Sequence, residues 1–99
     1  MAVADQASNR LFVLVRDFAL QTPEWESAVR YFTQPDERFD LTLTSYRVYG
    51  SREEAQVIQA AAGLDSPEYP LDEQLLVLPT TDQLRAMRRA AGFEGYEIF

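Results

Sequence analysis

The sequence contains no cysteine, no histidine and no lysine. Without cysteine it can form neither a disulfide framework nor a thiolate metal site, and without histidine it lacks the usual general base and transition-metal ligand. All nine basic residues are arginines, which retain their proton and cannot act as amine nucleophiles. The four glycines are isolated from one another, so no phosphate-binding loop is present. We therefore expect no enzymatic activity, no cofactor and no metal.

The chain is short and acidic, with 99 residues and a net charge of −7. This charge repels phosphate backbones and anionic lipid headgroups, so neither nucleic acid nor a membrane is an expected partner. The longest apolar run, residues 11–15, is far shorter than the roughly 20 residues that span a bilayer. Residues 1–10 lack the apolar core of a signal peptide, which predicts a protein made and kept in the cytoplasm. The length fits one domain, residues 10–99, preceded by a flexible arm at residues 1–9.

The first half of the chain predicts two strands that flank a helix. Residues 11–15 are continuously apolar and β-prone, which favours a buried strand. A helix is predicted from Pro23 to about Thr33, because Trp25, Ala28, Val29 and Phe32 have the spacing of one apolar face. Residues 39–44 alternate between apolar and polar side chains, which is typical of a half-buried strand. The alternation changes phase at Ser45, so we expect a bulge or a second strand there.

The second half carries clearer boundary signals. Residues 51–54 (Ser-Arg-Glu-Glu) match a capping box and predict a helix that starts at Arg52 and ends at Gly63. Residues 75–78 predict a short buried strand before Pro79. Residues 80–83 (Thr-Thr-Asp-Gln) form a second capping-box pattern, and the helix they begin should end at Gly92. The predicted fold class is α+β, with the order β-α-β-α-β-α and an extended tail.

Paired carboxylates are the remaining route to catalysis. The pairs Glu53-Glu54 and Asp72-Glu73 could divide into a general acid and a base. A helix cap explains Glu54, a first helical turn explains Glu53, and a solvated turn explains the second pair. We favour these structural interpretations. The alternative is a carboxylate-based enzyme.

Two groups of side chains are candidates for partner binding. Three arginines lie within one turn of the last predicted helix and could bind carboxylates of a partner. The tail adds several apolar side chains near one another, which should be buried against the protein's own core or against a neighbour. We expect Trp25 to belong to the core. The candidate partner-binding residues are Arg85, Arg88, Arg89, Phe93, Tyr96, Ile98 and Phe99.

Residues 46–79 resemble the LysM module over about a third of the chain. The family pattern is a Tyr-x-Val strand, a Gly-Asp-like helix start, an Ile-Ala helix, an Asn-x-Leu segment and a closing Gly-Gln-x-Leu-x-Ile-Pro strand. Here the opening reads Tyr46-Arg47-Val48, the helix carries Val57-Ile58, and residues 73–79 read Glu-Gln-Leu-Leu-Val-Leu-Pro. The resemblance implies a small α+β domain with a LysM-like β-α-β core, an added N-terminal β-α-β segment and a C-terminal helix.

A divergent LysM-like core with such additions resembles the small baseplate proteins of contractile phage tails and tail-like particles. That resemblance implies a structural protein assembled in the host cytoplasm and located in the virion tail baseplate, where it joins neighbouring baseplate, tube or sheath subunits. Ser51, Ala62-Gly63 and residues 65–70 depart from the pattern near the loops that contact N-acetylglucosamine chains in sugar-binding modules. Glycan is therefore not the expected partner. A peptidoglycan- or chitin-binding module is the alternative, and an adaptor protein unrelated to the LysM module is a further one.

Overall fold

The computed structural model describes the backbone of residues 3–92 and the side chains of residues 6–92. Over that range the protein is a small α+β domain with four α-helices and a two-stranded antiparallel sheet. Short 3₁₀ turns, Pro35–Glu37 and Arg52–Glu54, precede the second and third helices. The predicted α+β class is confirmed, whereas the predicted β-α-β-α-β-α order is wrong. The elements are α1 (Val3–Gln21), β1 (Val29–Phe32), α2 (Leu41–Tyr49), α3 (Ala55–Ala62), β2 (Leu75–Leu78) and α4 (Thr81–Ala91).

Helix α1 replaces the strand predicted at residues 11–15 and includes residues 3–9, which were expected to form an arm. A strand would bury residues 11, 13 and 15 on one face. The protein instead buries Ala7, Leu11 and Val15, one residue in every four, and leaves Val13 56% exposed. The apolar run therefore belongs to a helix whose buried face continues into the residues before it.

Strand β1 lies where the sequence predicted the end of a helix. Val29, Tyr31 and Phe32 all have side chains that favour strands, and pairing with β2 satisfies their backbone groups. The apolar stripe inferred for a helix does not exist, because Trp25 precedes the strand and is 84% exposed. The expectation that Trp25 belongs to the core was wrong.

Helix α2 replaces the strands predicted at residues 39–44 and 46–48. Asp40 caps its first turn, since the carboxylate accepts a hydrogen bond from the Leu43 amide at 3.2 Å. Leu41 and Ser45 are buried one helical turn apart, so the change of phase at Ser45 is helical periodicity and not a bulge. The Tyr46-Arg47-Val48 segment is consequently helical, and the first strand of a β-α-β core is not found at residues 46–79.

The second half follows its boundary signals closely. Gly63 and Gly92 adopt left-handed φ angles of 74° and 106° at the ends of α3 and α4, as predicted. Thr80 and Gln83 form the reciprocal capping box, with bonds of 3.2 and 2.8 Å. The box predicted at residues 51–54 is not formed, because the Ser51 hydroxyl accepts from the Glu53 amide and begins a 3₁₀ turn.

The two strands come from distant parts of the chain. Val29 pairs with Leu78 and Phe32 with Leu75, so α2 and α3 lie in sequence between antiparallel partners. Helix α1 packs against α3, α4 and β2, and α2 packs against α3. This arrangement leaves one face of the sheet away from the helices. The buried cluster contains Leu11, Val15, Leu41, Val57, Ile58, Ala60, Leu71, Leu76, Leu78, Leu84 and Ala91.

Candidate interaction surface

Eight large apolar side chains of the described residues are exposed. Each has more than half of its surface accessible to solvent. Single exposed apolar residues are ordinary, so the question is which of them lie near one another. They are Val13, Leu20, Trp25, Phe32, Phe39, Tyr46, Tyr69 and Leu75.

The outer face of the sheet brings two of them together. Phe32 and Leu75 are directly paired across the strands, and their side chains are 58% and 56% exposed. Residues on one strand alternate between faces, so Arg30 and Val77 share this outer face. The inner face is closed by Leu76, Leu78 and their neighbours. The sheet therefore presents an apolar cross-strand pair to solvent.

Two further aromatic rings lie just before α2, at Phe39, and in its second half, at Tyr46, and each lies beside an arginine. The Arg38 guanidinium is 5.6 Å from the centre of the Phe39 ring, and the Arg52 guanidinium is 5.8 Å from the centre of the Tyr46 ring. Phe39 is 78% exposed and Tyr46 is 55% exposed. Arginine next to an exposed aromatic ring is a combination that protein interfaces favour.

Asp72 connects the sheet pair to the Phe39 ring. Its carbonyl oxygen accepts a hydrogen bond from the Thr33 hydroxyl at 3.0 Å, immediately after β1. Its carboxylate accepts another from Arg38 at 2.9 Å. The end of the sheet and the start of α2 are thus bonded to one loop segment. We call the set Phe32, Arg38, Phe39, Tyr46 and Leu75 the aromatic rim.

A buried carboxylate fixes the connection between β1 and α2. Glu37 has no exposed surface, and its two oxygens accept from the Gln34 amide at 2.6 Å, the Tyr31 hydroxyl at 2.6 Å and Arg47 at 2.9 Å. Arg47 also binds Asp36 with both terminal nitrogens, at 2.7 and 2.8 Å. Since a buried charge requires paired donors, we expect loss of Glu37 or of a donor to it to destabilise this cluster.

The same contacts shift two pKa values. Burial raises the pKa of the Tyr31 hydroxyl, and the Glu37 carboxylate adds to the effect. The hydrogen bond from Arg47 holds the pKa of Asp36 below its usual range. Each group therefore keeps its ordinary charge at neutral pH. Glu37 has donors on both oxygens, so the arrangement suits a structural role better than proton transfer.

A second cluster contains Tyr49, Glu54 and Arg88. The Tyr49 hydroxyl donates to the Pro79 carbonyl at 2.7 Å, and Arg88 donates to the Glu54 carboxylate. Burial raises the pKa of Tyr49, and the nearby Glu54 charge raises it further. These groups line an open pocket of about 220 Å³ together with Arg85. It is too small to enclose a drug-sized ligand, which needs about 300 Å³ or more.

The structure separates the three arginines proposed from sequence. Arg88 contacts Glu54 of its own chain, and Arg85 lies 3.7 Å from the exposed Asp82 carboxylate. Arg89 is exposed. The three do not form a single fork directed at one carboxylate. The tail residues proposed with them, Phe93, Tyr96, Ile98 and Phe99, lie outside the described residues.

The sequence reasoning missed the aromatic rim, although a signal for it existed. Asp40 followed by Leu41, Ser45 and Val48 has the spacing of a capped helix, and Gly50 is its left-handed end. On that helix Tyr46 faces away from Leu41 and Ser45 and must be exposed. The strand prediction instead placed Phe39 with the buried residues.

Within residues 3–92, no helix is long and apolar enough to cross a membrane. The described side chains also contain no group of three acidic residues positioned to hold a metal ion. A comparison with models of protein families found no match, nor did comparisons with curated proteins and with solved structures. The function must therefore be argued from the surface itself.

Proposed function

We propose that this protein is a structural assembly protein that joins neighbouring subunits in the baseplate of a contractile phage tail or tail-like particle. The aromatic rim is the observation that carries the assembly role. It places three large apolar side chains, Phe32, Phe39 and Leu75, around a loop segment fixed by Asp72. Aromatic and arginine side chains of this kind supply most of the binding energy in many interfaces.

A rigid support strengthens this proposal. The fully buried Glu37 joins Tyr31 of β1 to Arg47 of α2, the residue after Tyr46. Hydrogen bonds therefore hold the relative position of β1 and α2, the elements that carry Phe32 and Tyr46 of the rim. A preformed surface loses little conformational freedom on binding, which favours affinity.

The baseplate assignment rests on the resemblance to the LysM module. The segment that we now compare with the module differs from residues 46–79. We place the LysM-like unit between β1 and β2, in the order strand, helix, helix, strand. Tyr31 then lies in the opening strand, Asp40 begins the first helix, and residues 74–79 form the closing Gln-x-Leu-x-Leu-Pro strand. Helices α1 and α4 are the additions on either side. The terminal contacts inferred from sequence, at Arg89 and the tail, supplement the rim in this proposal.

Sedimentation of tail particles tests the proposal directly. A tagged copy of the chain is produced in cells that also make the tail particles encoded alongside it. It should co-sediment with those particles in a density gradient. Phe39→Ser combined with Tyr46→Ser should reduce that recovery at least tenfold, because both rings are exposed and contribute little to folding. Trp25→Ser is the control, since it removes another highly exposed ring, which precedes β1 and does not belong to the rim.

Each alternative has its own outcome. If the unaltered chain never sediments with particles, the baseplate role is wrong. If the double variant is recovered as well as the control, the rim is not the contact surface. Retention of most of the protein on insoluble peptidoglycan or chitin at physiological salt would favour the glycan-binding alternative instead.

A further inference from the structure

Helices α1 and α4 border an apolar groove on the surface of the domain. Its volume is about 450 Å³, and its lining residues are Asn9, Arg10, Val13, Leu14 and Ala90. Val13 projects into it with 56% of its surface exposed, although the buried face of α1 lies elsewhere, at Leu11 and Val15. Leu14 also packs against the core, but Val13 is not required for packing α1.

Helix α4 ends at this groove. The Gly92 amide donates to the carbonyls of Arg88 and Arg89, and its φ of 106° is left-handed. A Cβ built on Gly92 would lie 3.5 Å from an Arg10 guanidinium nitrogen and 3.9 Å from the Ala7 Cβ. A left-handed residue at this position turns the chain out of the helix, and the apolar residue that follows it commonly packs back onto the last helical turns. Gly92, the last described residue, thus lies beside Arg10.

We propose that residues 93–99 of the same chain bind in this groove. Four of these seven residues are large and apolar, namely Phe93, Tyr96, Ile98 and Phe99. Seven extended residues reach about 23 Å, whereas the stretch of α1 from Arg10 to Leu14 rises only about 6 Å. Residues 93–99 are therefore long enough to span the groove even if part of the segment is not extended.

Charge and connectivity favour this occupant over a separate molecule. Neither Arg10 nor Arg89 forms a salt bridge with a carboxylate of residues 6–92, and the tail carries Glu94 and Glu97. A segment attached directly beside its site has an effective concentration in the millimolar range. The proposal does not depend on the baseplate role. It is compatible with that role, because an extended segment bound along one side presents its other side to a partner.

Methyl NMR on the full chain tests the proposal. In a sample with labelled methyl groups and protonated aromatic rings, we expect nuclear Overhauser contacts from the methyl groups of Val13 and Leu14 to the rings of Tyr96 or Phe99. Val13→Glu should remove the contacts from Leu14 and increase the hydrogen-exchange rates of the tail amides at least tenfold. Leu20→Glu is the control: it alters an equally apolar, 78% exposed residue of the same helix outside the groove, and should leave both readouts unchanged.

The isotope labelling of the sample distinguishes the possible occupants of the groove. In an equal mixture of labelled and unlabelled chains, contacts that survive isotope filtering would come from a second copy and would overturn binding within one chain. Tail amides that exchange at random-coil rates in the unaltered protein, without contacts to Val13, would also overturn it. A chain that ends after Gly92 should shift the Val13 methyl resonances and not those of Leu20; equal shifts at both would contradict the groove assignment.

Discussion

Two clusters in this protein contain the same three residue types, tyrosine, glutamate and arginine, and use them differently. In the first, Glu37 is completely buried and accepts hydrogen bonds from the Tyr31 hydroxyl, Arg47 and a backbone amide. In the second, the Glu54 side chain is 16% exposed and accepts from Arg88, while the Tyr49 hydroxyl donates to the Pro79 carbonyl. The first carboxylate is the centre of its cluster, whereas the second is one side of a pocket.

The two clusters also join different parts of the fold. Glu37 links elements that are close in sequence, β1 and α2, and so fixes the support of the aromatic rim. Glu54 links residues 34 positions apart, at the start of α3 and in α4. We therefore expect burial, and not residue identity, to decide how much each charged cluster contributes to stability.

The largest effect is expected from Glu37→Gln. An amide in place of the carboxylate cannot accept from three donors, and it leaves Arg47 without one of its buried partners. Loss of one member of a buried ion pair typically costs 3–5 kcal/mol, so we expect the free energy of unfolding to fall by about 3 kcal/mol. Urea unfolding followed by circular dichroism measures this change as a lower midpoint with an unchanged m-value.

Asp36→Asn is the matched control for that variant. Asp36 binds the same arginine, but its side chain is 59% exposed and screened by solvent. Its midpoint should remain close to that of the unaltered protein. If the two variants are equally stable, burial of Glu37 does not set the strength of the cluster, and the proposed contrast is wrong.

A smaller loss is expected from Glu54→Gln. The Glu54 side chain is 16% exposed whereas that of Glu37 is completely buried, so water can replace part of what the Glu54 carboxylate provides. We expect the free energy of unfolding to fall by about 1 kcal/mol, near the upper end for solvent-accessible pairs. The same urea series measures it. A loss as large as that of Glu37→Gln would show that the two clusters are energetically equivalent despite their different exposure.

The sequence predicted the elements that carry their own boundary signals. The Thr80–Gln83 capping box and the glycines at positions 63 and 92 act locally, so α3 and α4 end where the pattern indicates. Strand β2 is short, apolar and followed by Pro79, and it was also predicted correctly. These features depend on a few neighbouring residues, which a sequence pattern contains.

The elements that were predicted wrongly are mainly those whose secondary structure depends on contacts with residues distant in sequence. Residues 29–32 form a strand because residues 75–78 pair with them, and no local pattern contains that information. Residues 11–15 could be a strand or a helix by composition, and burial of Ala7 in the same helix decides between the two. The rim was missed for a different reason: α2 carries local signals at Asp40 and Gly50, but the alternation of residues 39–44 was interpreted as a strand. Its Glu37 support joins β1 and α2, which were predicted as part of a helix and as strands.

The last prediction compares the two tyrosines at alkaline pH. Burial and an adjacent glutamate raise both pKa values above the ordinary value of 10, and the pKa of Tyr49 is raised further than that of Tyr31. Above pH 10 the unfolded chain loses these protons while the folded protein keeps them, so stability must fall as pH rises from about 10 toward the folded-state pKa. Without lysine or cysteine, the tyrosines are the side chains that titrate there.

Tyr49→Phe should therefore reduce this alkaline loss more than Tyr31→Phe does. At pH 7 each variant lacks one hydrogen bond and should lose about 1 kcal/mol, so the two are matched at the starting point. Urea unfolding at intervals between pH 7 and pH 11 gives the slope for each protein. Equal slopes in the two variants would mean that the Tyr49 hydroxyl is no harder to ionise in the folded protein than that of Tyr31. In that case solvent reaches the Glu54 cluster, as the 30% exposure of Arg88 indicates. The hydrogen bond to the Pro79 carbonyl would then be the only contact that holds the Tyr49 hydroxyl.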